Sequence, residues 1–189
     1  EELYRSISDQ KMLGALYRDT AIVADYAGDF PAAALYFQRA ISTLEESEFY
    51  GELAITYDKL GVHTAKQGRL NEAKTFIDRA LQIFKKEPTA GFFRATTLLD
   101  GARLQFKLGN FHEAREWAEE SLGWFEADHP RRSYLRRRGQ LYGLISLIDA
   151  ALGNRKPSED FYLRYQTLLK TFDPLSAAVI EKDLNELVG

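Results

Sequence analysis

A glycine followed by a polar or basic residue returns four times along the chain, in Gly28-Asp29-Phe30, Gly68-Arg69-Leu70, Gly109-Asn110-Phe111 and Gly153-Asn154-Arg155, at intervals of 40, 41 and 44 residues. A period of this length constrains the fold more than any other feature, because it marks stacked copies of one supersecondary unit. The first three copies agree well beyond the glycine. Five residues on stands Ala33, Ala73 or Ala114, and four further on Phe37, Ile77 or Ala118. Three beyond that comes Ala40, Ala80 or Ser121, followed by Ile41, Leu81 or Leu122. Steps of four, three and one keep these residues on one helical face.

Upstream of each glycine the apolar residues also follow helical spacing, as in Leu16, Ala21 and Ala24, or Leu60, Gly61 and Thr64. The glycine ends that helix, since it takes the left-handed conformation without steric cost. A second helix then doubles back. Small residues in pairs (Ala21 with Ala33, Gly61 with Ala73, Ala102 with Ala114) let the two helices approach closely, while Tyr36, Phe37, Phe76 and Ile77 fill volume further out. Such a hairpin buries its apolar face only when neighbours stack on it. The expectation is an all-α chain of about four antiparallel helix pairs with helices near 3–27, 31–46, 51–67, 71–86, 91–108, 112–126, 131–152, 157–172 and 175–188. Pro31 and Pro157 suit first-turn positions, and Pro88, Pro130 and Pro174 stand in connections. In the fourth copy Arg155 takes the aromatic place, and Ser158, Tyr162 and Tyr165 the small and core places. The last helix, with Val179, Ile180, Leu184 and Leu187, either covers the open apolar end of the stack or begins a further repeat.

This spelling resembles the tetratricopeptide repeat family over roughly residues 10 to 172. The resemblance implies a right-handed α-solenoid with a concave groove. The period exceeds the family's usual ~34 residues, as in kinesin-light-chain-like and bacterial regulatory members, and Asp128-His129-Pro130 looks like the former. The expected organisation is one solenoid domain over 1–189, with repeats near 10–48, 49–89, 90–130 and 131–173 and a capping helix at 175–188. Starting at Glu1 without Met and stopping at Val188-Gly189, the sequence reads as excised from a larger protein.

Composition narrows the function. A net charge of −3 and pI near 5.7 give no general attraction to nucleic acid or anionic lipid. There is no cysteine, so thiolate chemistry and disulfides are excluded and a cytoplasmic location is expected. No run of 18 apolar residues offers a membrane span. His63, His112 and His129 are widely separated, without a second ligand at metal-binding spacing, and no phosphate loop or nucleophile motif occurs. No enzyme activity and no cofactor are expected.

If the family geometry holds, the residues ten, six, three and two before each glycine line the groove. These are Arg18, Ile22, Asp25 and Tyr26; Asp58, Val62, Ala65 and Lys66; Leu99, Arg103, Phe106 and Lys107; and Gly143, Leu147, Ala150 and Ala151. The floor is apolar (Ile22, Val62, Leu99, Phe106, Leu147) with charges of both signs around it, which suits another protein's helix or extended peptide. Arg103 and Lys107, one turn apart, invite an acidic partner residue. Asn71, Asn110, Asn154 and Asn185 all fall outside this set, so the asparagine clamps of chaperone-tail and peptide-pheromone receptors are not matched. A second candidate is the run Arg131, Arg132, Arg136, Arg137 and Arg138. It offers an anion or acidic-partner patch and the alternative of nucleic-acid contact, against neutralisation by Glu113, Glu116, Glu119, Glu120, Glu126 and Asp128. Trp117 and Trp124, seven apart, either pack beneath a neighbouring helix or form a contact patch; a homodimer through them or through the stack ends is a further expectation.

Overall fold

The computed structural model describes residues 2–86, 90–127, 134–172 and 174–188, with side-chain surroundings from 9 to 187. Among these residues every regular element is an α-helix: α1 Glu2–Tyr26, α2 Phe30–Glu46, α3 Tyr50–Lys66, α4 Leu70–Phe84, α5 Gly91–Lys107, α6 Phe111–Ala127, α7 Leu135–Ala151, α8 Arg155–Leu169 and α9 Pro174–Val188. Pro88, Asp128, His129, Pro130, Arg131 and Arg132 lie outside the described residues.

The four glycines build one turn four times over. Gly28, Gly68, Gly109 and Gly153 have φ of +80°, +77°, +78° and +76°. Each donates its N–H to the carbonyl three residues back (Asp25, Ala65, Phe106, Ala150), and the next residue donates to the carbonyl five back (Ala24, Thr64, Gln105, Asp149). This pair of bonds satisfies carbonyls that a helix end leaves open. The carbonyl of that next residue then accepts the first bond of the following helix, from Ala33, Ala73, Ala114 and Ser158. At α2 the Asp29 carboxylate caps the helix by accepting from Ala32 N–H at 3.0 Å, and Pro31 sits in the first turn. α8 starts at Arg155, two residues before the expected start, so Pro157 is third in its helix but still in the first turn, where no N–H is required.

Helices pack in the expected pairs, α1 on α2, α3 on α4 and α7 on α8. α5 and α6 share one core in which Ser121 Oγ donates to the Ala95 carbonyl at 2.7 Å. Ala33, Ala73 and Ala114 have no exposed surface. At the equivalent of Ala21 on the facing helix stands Gly61, where an added Cβ would lie 2.9 Å from Ile77 and 3.2 Å from the Ala73 carbonyl. The helices therefore touch where the sequence is small. One further core position recurs sixteen residues after the glycine, at Leu44, Phe84 and Phe125, each enclosed. In the fourth repeat Tyr165 is buried as expected, but Tyr162 is exposed; Phe161 turns inward instead, 6.1 Å from the Tyr142 ring. Ser158 accounts for its small place by exchanging hydrogen bonds with Ser146, 2.9 Å each way.

The chain packs as two compact units, Glu1–Phe93 and Arg94–Gly189. In the first unit α2 covers α3, placing Phe30 and Phe37 against His63 at ring separations of 5.8 and 5.5 Å. α1 has no helix before it among the described residues, and the consequence is measurable. Leu16 and Val23 are 61% and 69% exposed, whereas their register equivalents on α3, Thr56 and His63, are 0% and 1%. In the second unit α9 lies on α7, with Ile180 buried and Leu184 so close to Gly143 that a Cβ there would stand 2.9 Å away.

Each unit also carries the same clasp. Tyr57 donates to Glu45 at 2.9 Å in the first, and Tyr142 to Glu126 at 2.8 Å in the second. Both pairs tie the end of a second helix to the first helix of the next repeat, at equivalent positions. Burial, and then the neighbouring glutamate, raise both phenols above their ordinary pKa.

Candidate functional site

In the first unit α1 and α3 pack side by side and bring six of the candidate residues onto adjacent helices. Arg18 donates to Glu52 at 2.6 Å and to Asp19 at 3.0 Å. Asp25 sits in a buried knot. One carboxylate oxygen meets His63 Nδ1 at 2.6 Å and the other accepts from Lys66 at 2.5 Å, while His63 Nε2 faces the Gln67 carboxamide at 2.6 Å. Burial alone pushes the Asp25 carboxyl up, but the bonds and charges of Lys66 and His63 together outweigh it and hold the group below its ordinary value. Lys66 also stands 4.8 Å over the Tyr26 ring. Asp58 pairs with Lys59 at 2.7 Å and is enclosed. Ile22 and Val62, six residues before their glycines, are half-buried among these charges.

The second unit arranges its candidates differently. Arg103 lies 3.7 Å from Asp100 and 4.0 Å from Asp183 of α9. Its guanidinium is pulled below its ordinary pKa by burial, against which the two carboxylates act. The acidic residue expected from a partner is thus supplied by the chain itself. Phe106 rests on Phe111, ring centroids 5.5 Å apart, Leu147 is half-buried and Lys107 is exposed. Leu99, expected on the groove floor, has no exposed surface and lies in the core with Ala102, Ala118 and Leu122, so it offers nothing to a ligand. The position ten residues before the glycine is closed elsewhere too. Asp58 and Gly143 are buried, and the Arg18 side chain is 13% exposed. That position turns toward neighbouring helices rather than outward.

Of the arginine run, Arg136, Arg137 and Arg138 are described. Arg136 approaches Asp183 at 3.6 Å, Arg137 donates to Gln140 at 3.3 Å, and Arg138 reaches Tyr142 at 3.1 Å and Glu126 at 3.9 Å. Neutralisation comes from Glu126 as expected and from Asp183, which sequence proximity does not reveal. Glu119 and Glu120 are taken by Arg115 and Arg94 instead. Trp117 and Trp124 are half-buried against the core of this unit, Trp124 lying 5.1 Å from Phe125 and 5.7 Å from Tyr134. Asn110 and Asn154 serve their own turns, bonding Gln105 and Asp149. Among the described residues no group of three metal-ligating side chains comes together, and no helix is long and apolar enough to cross a membrane.

Repeated hairpins with identical turns, small residues at each helix contact and charged, half-apolar faces define a helical-repeat protein. Residues 52–127 match the family model described as tetratricopeptide repeat. No curated protein matches the sequence. Among solved structures the chain is similar to BtubC (BKLC) from P. vanneervenii, with a TM-score of 0.77 and 16% identity over 87% of this chain and 67% of that one. At that identity the likeness concerns the fold. Tetratricopeptide repeats generally mediate protein–protein interaction.

Proposed function

We propose that the chain is a non-catalytic protein-binding module of the cytoplasm that holds a helix or extended peptide of a partner, as the interaction or sensor part of a larger regulator. The observation that carries the reading is the face shared by α1 and α3. Ile22 and Val62 stand there half-buried, while Arg18, Asp25, Asp58 and Lys66 already have intramolecular partners. A charged residue that is paired in the free protein asks no counter-charge of a ligand, whereas a half-exposed apolar edge gains from being covered. The partner's contribution is therefore apolar anchors at this face, with Phe106, Lys107 and Leu147 as the corresponding elements of the second unit. No observation favours the nucleic-acid alternative, since Arg136 and Arg138 each face a carboxylate.

The test is affinity capture from the native source with wild-type protein, Ile22→Asp and Val62→Asp. Both variants are expected to keep the helical circular dichroism spectrum and to lose the saturable partner. Retention of that partner by both variants refutes the assignment of the α1–α3 face.

A further inference from the structure

The first unit contains an open cavity of about 910 Å³ between the ends of α2 and α4 and the first half of α3, and none of Arg18, Ile22, Asp25, Asp58, Val62 and Lys66 of the α1–α3 face lines it. Its apolar walls are Tyr50, Leu53, Tyr57 and Ile83, and its polar lining is Glu45, Arg79, Gln82, Lys85 and Lys86. The volume lies within the range of sites that take a side chain or small ligand. The charges are unequal. Glu45 already accepts from Tyr57, and Arg79 lies 5.6 Å over the Tyr57 ring. Among the described residues no carboxylate pairs with Arg79, Lys85 or Lys86.

The repeat shows that these lysines are not demanded by the fold. At the equivalent positions of the first repeat stand Glu45 and Glu46, and at the first of them in the third repeat stands Glu126. Glu45 and Glu126 each accept the tyrosine of a clasp. In the second repeat the pair is reversed in sign to Lys85-Lys86, and both side chains are exposed. A chain of net charge −3 thus concentrates three cations around one apolar recess.

From this geometry we infer a second binding site, for an acidic peptide segment of a partner protein that inserts one large apolar side chain between carboxylates. The apolar walls receive the side chain. Lysines are point charges and Arg79 is committed to a ring face, so the cations, one on α4 and two just past its end, do not fork onto one phosphate, which suits separated carboxylates. Such a site stands independently of the α1–α3 face.

Random heptapeptides displayed on phage and selected on the intact chain test it. The expected outcome is a consensus of Asp or Glu flanking a Leu, Ile, Phe or Trp. A synthetic peptide of that consensus should bind more weakly as salt rises, and Lys85→Glu/Lys86→Glu should weaken it by roughly tenfold or more, one charge-assisted contact's worth. Both lysines are exposed, so an unchanged melting temperature is expected; Arg79→Gln supplies a second, milder variant that should weaken binding in the same direction. Selection without an acidic consensus overturns the site. So does a consensus peptide whose binding survives the lysine variant but is lost with Val62→Asp, an outcome that leaves the α1–α3 face standing. Tighter binding of a duplex oligonucleotide than of the peptide, abolished by the same lysine variant, also overturns it in favour of nucleic acid.

Discussion

Gly61→Ala sets two known effects against each other at one atom. Alanine in a helix interior is better than glycine by about 1 kcal/mol, so the substitution stabilises wherever there is room. At Gly61 there is none. The new Cβ would stand 2.9 Å from both Cδ1 and Cγ1 of Ile77 and 3.2 Å from the Ala73 carbonyl oxygen. Ile77 is β-branched and enclosed, and the Ala73 carbonyl belongs to the α4 backbone, so neither yields cheaply. Separating α3 from α4 by the required few tenths of an ångström costs about 1–3 kcal/mol, as overpacking of cores does. The net expectation is destabilisation by about 1 kcal/mol, worth roughly 2–4 °C in a chain of this size. Gly123 on α6 is the control, since nothing lies within 4 Å of its added Cβ. Gly123→Ala should stabilise by about 1 kcal/mol from propensity alone. Urea unfolding followed by far-ultraviolet circular dichroism reads both, each variant against the wild-type transition of its own unit. If Gly61→Ala proves as stabilising as Gly123→Ala, the close contact at Ala73 is not real and the reasoning fails.

Two further outcomes follow from local structure. Glu48 closes a turn with the bonding of the glycine turns, Glu48 N–H to Glu45 and Phe49 N–H to Leu44, but does so with a side chain at φ 56°. Relief of that conformation outweighs glycine's greater freedom in the unfolded chain, so Glu48→Gly should raise stability by about 0.5 kcal/mol, read as a higher urea midpoint. The lowered pKa of Asp25 gives a pH signature. Its native-state value lies below the ordinary 3.8, so the stability it contributes is present above that value and is lost as pH falls through the native-state one. Thermal melts should show the wild type's advantage over Asp25→Asn held at about pH 5 and above and shrinking below about pH 4; an advantage unchanged down to acid unfolding contradicts the paired geometry.

Much of the fold was legible because its determinants are local. A glycine at a left-handed turn, an alanine five residues later and the 4-3-1 spacing are each fixed by backbone geometry within one hairpin, and the four turns and three enclosed alanines follow. The candidate site was less legible because its partners are distant in sequence. His63 and Lys66 find Asp25 across 38 and 41 residues, and Asp183 reaches Arg103 from the far end of the chain. Nothing in the neighbourhood of Asp25 announces either bond. Leu99 was misplaced for a different reason: family geometry assigns its position to the groove, but in this chain that position faces packed helices. One long-range feature had a readable signal. A tyrosine eleven residues before Gly68 and Gly153, and a glutamate seventeen after Gly28 and Gly109, recur in step and form the two clasps. Exposure of Leu16 and Val23 on α1 carries the converse lesson, that helical apolar spacing marks a face suited to burial whether or not a helix is there to bury it.

Successive hairpins place Ala33, Ala73 and Ala114 in the same surroundings, at the contact of two helices. Leucine substituted at each in turn, with unfolding free energy measured in urea, probes that directly. All three variants should lose about 1–3 kcal/mol through overpacking. A leucine accepted without loss at any one of them would show that the three positions are not one site repeated.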